Sequence, residues 1–241
     1  MPADPQQVGA YLADCASASA GGQPLSLSTV ERRLAGLCWN YAQRGETLDR
    51  RDPFLRRTLA DIRQTLAGTR KRKVPVQNGD VLAMVEMLGH DLRGLRDRAI
   101  LLLGSAAALR RSELVGLDCG PEQTADGIGW IEIVPKGLSV VVRDSKQGRR
   151  EISISRGPVD RSCPVAAVER WLRLARIQSG PVFRRVFNDG KTVEVARLAD
   201  KHIPRLVKRT AVAAGLGGDV SEGERALAFG AHSLRAGAVK R

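Results

Sequence analysis

Aromatic residues are scarce in this chain. Phe, Trp and Tyr make up 4% of 241 residues, and the two tyrosines are Tyr11 and Tyr41. Packing must rest on aliphatic side chains, for which a hydrophobic share of 43% is ample. No apolar run approaches the roughly 20 residues a bilayer-spanning helix needs, so no membrane partner is expected. The first 25 residues contain Asp4 and Asp14 and lack the basic-then-apolar order of a secretory signal. The four cysteines, Cys15, Cys38, Cys119 and Cys163, are scattered without a CxxC pair. That spacing argues against a disulfide framework and points to reduced, mostly structural thiols in a cytoplasmic protein. No cofactor or metal site is expected. Internal repeats and low-complexity tracts are absent too.

Positive charge, by contrast, is in excess. The formal net charge is +13, and it is unevenly placed. Residues 1–68 carry a net of +1, whereas residues 69–241 carry +12. A charge this lopsided points to a polyanionic partner, nucleic acid, with solubility or an anionic membrane surface as the alternative reading.

Periodicity divides the chain. Helices are predicted near 4–16, over 28–43 and from Asp52-Pro53 to Leu66. Ser28 and Glu31 suggest a capping box for the second. Asp52 before Pro53 suggests a cap and first-turn proline for the third. Residues 1–68 thus read as a small helical domain. Residues 69–77, TRKRKVPVQ, read as a basic joint in which Arg70, Lys71, Arg72 and Lys73 are candidate DNA-backbone contacts. The alternative is a solvated linker.

Beyond the joint, helices are predicted over 78–89, 95–108, 111–117, 164–176 and 200–214. The helix over 95–108 is apolar nearly all round and should be buried. Short β-rich runs at Trp130–Ile133, Val140–Val142 and Glu151–Ile154 suggest a small antiparallel sheet, with a further strand-like pair near 181–195. The fold class expected is mainly α with a small antiparallel β-sheet. Two domains are expected, 1–68 and 78–241.

Four residues stand out as chemistry. Arg110, in ALRRSELVGL, lies where a buried helix gives way to a polar turn. Lys146, in VVRDSKQGRREISI, occupies a hairpin turn. His232 and Arg235, in HSLRAG, lie three apart on one helical face. Each alone is ordinary: a surface arginine, a turn lysine, a weak HxxR spacing.

Together, and in this order, they resemble the tyrosine recombinase (phage integrase) family. The resemblance extends to GLRDRAILLLG, CPVAAVERWL and GPVFR and covers essentially residues 25–238. It implies a helical, SAM-like core-binding domain over 1–68 and an α+β integrase-type catalytic domain over 78–241. It implies double-stranded DNA as partner, DNA integration and recombination as activity, and protomers that assemble as tetramers on DNA. It also implies a metal-independent strand transferase. Arg110 and Arg235 would clamp the non-bridging oxygens of a phosphorane-like transition state through paired N–H donors. Lys146 would protonate the leaving 5′-oxygen, and His232 would contact the phosphate and assist proton movement. Glu113 matches an acidic position that supports the first arginine; ordinary stabilisation of a helix N-terminus is its equal alternative. Arg111 competes with Arg110, and Lys136 with Lys146.

The family's nucleophile is a tyrosine well beyond HxxR. This sequence ends six residues after Arg235, and Tyr11 and Tyr41 both lie in the first helical region. Tyr41 falls on an apolar helix face. Without a phenol at the phosphate no phosphotyrosyl link forms. Truncation before the tyrosine is the expectation. A tyrosine supplied in trans by a partner, or a non-catalytic DNA-binding module competing with a full-length recombinase, are its alternatives. A type IB topoisomerase relative is a further one.

Overall fold

A computed structural model of the chain describes residues 3–17, 23–67, 73–144, 148–218 and 220–238, with backbone alone at 144 and 238. Arg70, Lys71, Arg72 and Lys146 lie outside the described residues. The chain divides into two compact units, residues 1–72 and 73–241.

The first unit holds three helices, α1 (Pro5–Ser17), α2 (Leu27–Gln43) and α3 (Pro53–Thr65). Val8, Leu12, Val30, Leu34, Leu55, Leu59 and Ile62 form its core, with Tyr41 packed half-buried against it. Asp52 caps α3 by accepting from Phe54 N at 2.9 Å and Leu55 N at 3.1 Å, with Pro53 in the first turn. The capping box expected at Ser28 and Glu31 does not form. Ser26 stands at the N-cap instead, and Glu31 accepts from Arg63 Nη2 at 2.8 Å. A glutamate facing an arginine of the neighbouring helix gains an ion pair that its own helix end cannot offer.

The second unit contains seven helices among its described residues, α4 (Asn78–Glu86), α5 (Leu92–Ala106), α6 (Arg111–Val115), α7 (Pro164–Leu174), α8 (His202–Ala213), α9 (Glu222–Ala228) and α10 (Ala231–Ala238). A five-stranded sheet runs in the order β4-β3-β2-β1-β5, from strands β1 (Leu117–Cys119), β2 (Gly129–Val134), β3 (Gly137–Asp144), β4 (Gly148–Ser155) and β5 (Gly180–Pro181). Its pairings are antiparallel except β1 with β2, which is parallel. The strand-like pair near 181–195 is a separate ribbon, β6 (Arg184–Val186) with β7 (Val193–Arg197).

Helix α5 is the axis of this unit. Asp91 caps it, accepting from Gly94 N at 2.8 Å, so it starts earlier than its apolar stretch. Residues Ala99 to Ser105 are all buried, as an all-round apolar helix must be. The indole of fully buried Trp171 on α7 donates to Val182 O at 2.8 Å, which satisfies its one polar atom.

Two buried ionic knots fix the elements around α5. Asp97 is fully buried and accepts from Arg96 Nη2 at 2.7 Å and Arg209 Nη2 at 3.0 Å, while His202 Nε2 lies 2.9 Å away. His202 and Arg209 are two turns apart on α8, so one carboxylate sets that helix's rotation. Burial pushes the Asp97 carboxyl up. The His202 hydrogen bond and the Arg96 charge outweigh it, and its pKa lies below the usual value. In the second knot Arg197 donates to Asp118 Oδ1 and to Val115 O, each at 2.7 Å, tying β7 to the end of α6.

The cysteines are free thiols. Burial pushes the Cys119 thiol up to about 11, which leaves it protonated near neutrality. Among the described residues no helix is long and apolar enough to cross a membrane.

Candidate nucleic-acid interface

The chain leaves α5 through a constrained turn. Ala108 has φ +50, a left-handed conformation that residues with a Cβ rarely adopt. Buried Leu109 then anchors the turn, and Arg110 follows in extended geometry as the N-cap of α6. Glu113, one turn on, is 5% exposed. Its Oε2 accepts from Arg110 N at 2.8 Å and its Oε1 from Arg110 Nη1 at 2.6 Å. Its Oε2 also accepts from Arg150 Nη2 on β4 at 2.9 Å. One buried carboxylate thus caps α6, holds the Arg110 guanidinium and hooks the β3–β4 hairpin to the same spot.

Burial pushes the Glu113 carboxyl up, but the Arg110 hydrogen bonds and the Arg150 charge prevail, and its pKa falls below the ordinary 4.5. A depressed carboxylate stabilises the fold above its unfolded pKa and loses that contribution as pH falls through the folded value. Thermal melts of the native chain are therefore expected to weaken below about pH 4.5, and a Glu113→Gln variant to show a flatter acid limb. Parallel acid limbs would contradict this role for Glu113.

Helix α10 supplies the opposite wall. Ser233 and Leu234 are buried, Leu234 lying near Gly104 of α5. Val76 N donates to Ser233 O at 3.0 Å, and a Cβ on Gly237 would lie 1.8 Å from Val76 O. Only glycine permits that approach. With one face so pinned, exposed His232 and half-buried Arg235 turn outward, and neither has an ion-pair or hydrogen-bond partner among the described residues.

These elements enclose a cleft of about 630 Å³ lined by Lys73, Arg110, Arg111, Lys208, His232 and Arg235, among others. Three of the four candidate catalytic residues, Arg110, His232 and Arg235, therefore meet in one place, although Arg110 and Arg235 are far apart in sequence. Lys73 joins them from the basic joint and donates to Leu227 O in the last turn of α9, where the helix dipole favours a cation. Among the described residues, five cationic side chains and no carboxylate line the cleft, so its field is positive.

A search against protein-family models gives no match. Over 98% of its length the chain is 28% identical to the integrase/recombinase xerD homolog of Selenomonas ruminantium, covering 65% of that protein. Over 64% of its length it is 29% identical to tyrosine recombinase XerC 1 of Ralstonia nicotianae, covering 46% of that protein. The solved post-cleavage complex of XerH site-specific recombinase with a palindromic difH substrate superposes on 95% of the chain and 60% of XerH, with TM-score 0.58 and 15% identity. The chain has a tyrosine recombinase fold. It spans 65% or less of the length of the relatives and of the XerH chain it matches.

Arg110 and Arg111, the competing arginines, have different partners. Arg110 is anchored on buried Glu113, whereas Arg111 pairs with half-exposed Asp200, its Nε 3.2 Å from Oδ2. Lys136 stands in the turn between β2 and β3. The Glu113-bound Arg150 is registered opposite Val142, toward the other end of β3. At about 3.4 Å per residue, Lys136 is roughly 20 Å along the strand from that point.

Several basic residues of the candidate interface were not foreseen from the sequence. Lys208 comes from α8, whose rotation the Asp97 knot sets. Arg150 bridges to Glu113. Arg143 and Arg149 lie over the Trp130 ring, 5.6 and 4.9 Å from its centre, at the same end of the hairpin.

Proposed function

We propose that the chain is a DNA-binding member of the tyrosine recombinase family, and that this cleft holds a DNA phosphate. The observation that carries the proposal is the meeting of Arg110, His232 and Arg235 in one cation-lined cleft. Two guanidiniums from different elements suit the non-bridging oxygens of a phosphate that gains charge in the transition state. The buried Glu113 anchor favours Arg110 over Arg111 as one clamp, with Glu113 as its positioning group. His232 is the proton-handling partner at the phosphate. Lys146 remains the candidate donor to the leaving oxygen: the residues flanking its turn lie at the hairpin end nearest Glu113, and Lys136 lies at the other. Arg70, Lys71, Arg72 and Lys73 track the DNA backbone, Lys73 closest to the phosphate. The first unit serves as the core-binding domain, and protomers assemble on the duplex.

The covalent step needs a tyrosine from outside these 241 residues, on a longer chain or on a partner protomer. Both phenols present are otherwise employed: Tyr41 packs on the first core, and Tyr11 accepts from Arg33 Nη1 at 2.8 Å. The chain alone, incubated with a nicked suicide duplex, is expected to give no covalent protein–DNA adduct on a denaturing gel. An adduct formed by the chain alone would refute the missing-nucleophile account.

A further inference from the structure

A second basic cleft lies away from the first and shares no residue with it. It has a volume of about 370 Å³ and is lined by Arg98, Arg156, Arg161, Arg170 and Arg173, with Asp160 and Glu169 among them and Ala166 and Ala167 from the first turns of α7. Arg156 is paired with Glu169. Arg161, Arg170 and Arg173 are exposed and carry no ion pair among the described residues. Arg98 is the unusual member. Among the described residues its Nε is buried without a hydrogen-bond partner, and the one hydrogen bond of its guanidinium is a long one, from Nη2 to Val85 O at 3.4 Å. Burial holds the Arg98 pKa below its ordinary value, and the nearby Arg170 charge adds to the effect.

Folding does not gather like charges round a concave wall without cost, and a buried guanidinium N–H left unbonded adds to that cost. An anion in the cleft would relieve both. We propose that this cleft is a second anion site, for a compact phosphate-bearing molecule of the polyphosphate class. Planar guanidiniums converging from α5, α7 and the loop after β4 match the several oxygens of such a group. The volume suits a small ligand. Glu169 is already paired with Arg156, and the concave shape of the cleft suits a compact ligand rather than a continuous DNA backbone.

The test uses the full chain with Arg110→Gln and Arg235→Gln in place, so that the first cleft is disarmed, and titrates it with inorganic tripolyphosphate by calorimetry. Saturable one-to-one binding is expected, weakened at least tenfold when Arg161→Gln and Arg170→Gln are added. Both of these side chains are exposed, and a thermal melt checks that the fold is unchanged. No binding, or binding that the added pair leaves within twofold, would overturn the proposal. Duplex affinity separates the two sources of phosphate. With Arg161→Gln and Arg170→Gln alone, the salt dependence of DNA binding is expected to stay as in the native chain. A slope reduced by about 2 would assign the cleft to DNA instead and overturn the proposal.

Discussion

In an assay where a tyrosine-bearing segment is supplied, on the same chain or by a partner protomer, Arg235→Gln is expected to cut strand cleavage by about 100- to 1000-fold. DNA affinity should fall far less. The reason is where charge appears. In the ground state a phosphate offers the Arg235 guanidinium one delocalised negative charge among many along the backbone. In the transition state the non-bridging oxygens gain charge, and a donor pair already aimed at them needs no reorganisation. Arg235 is suited to this because α10 is held on its other face by Leu234 at Gly104 and Ser233 at Val76, so the guanidinium is presented from a fixed helix. Cleavage rates from single-turnover quench, set beside equilibrium binding, separate the two effects. Equal losses in both would mean that Arg235 merely holds DNA.

Asp97→Ala should produce the largest loss of stability, about 3–5 kcal/mol. The carboxylate is fully buried and faces three cationic or ionisable partners, Arg96, His202 and Arg209. Arg96 is itself 2% exposed, so removing Asp97 strands a charge that cannot reach water. The pair as a whole need not stabilise relative to an apolar replacement; it is the broken pair that costs. Denaturant midpoints of the native and variant chains measure the loss, and a change under about 1 kcal/mol would contradict the knot's importance. A functional consequence follows from geometry. The knot fixes the rotation of α8, and α8 carries Lys208 into the cation-lined cleft.

Local signals identify the right elements where one residue type decides. Asp52-Pro53 marks the start of α3, and the unbroken apolar run after Arg98 marks the buried α5. The β3–β4 hairpin follows from alternation and turn residues. Signals failed where the partner is remote. Glu31 looked like a capping residue because Ser28 stands three positions before it, yet the helix starts at Leu27 after Ser26, and Glu31 bonds Arg63 of the neighbouring helix instead. Strand β1 has three residues and exists because β2 and β5 flank it, so no window of sequence could reveal it. Helix α9 buries none of its residues and carries no apolar period, though its Ser221-to-Glu224 capping box was available to be read.

The site shows the same division. Arg110, His232 and Arg235 were legible through their motifs, and the structure brings them together. Lys208, Arg150 and Lys73 were not legible as one set. Lys208 depends on how α8 is rotated, Arg150 on the strand register that faces it toward Glu113, and Lys73 on the docking of residues 74 and 76 against α9 and α10. Such juxtapositions arise from long-range packing, which hydrophobic periodicity does not encode.

The central claim is that a phosphate of duplex DNA sits between Arg110 and Arg235. Its most direct test is the salt dependence of duplex binding, measured for the native chain and for Arg110→Gln/Arg235→Gln across about 50 to 200 mM monovalent salt. The native affinity should fall linearly on a log–log plot, and the double variant should lose about 1 to 2 from that slope as its phosphate contacts disappear. Binding indifferent to salt, or a slope that the double variant leaves unchanged, would contradict it.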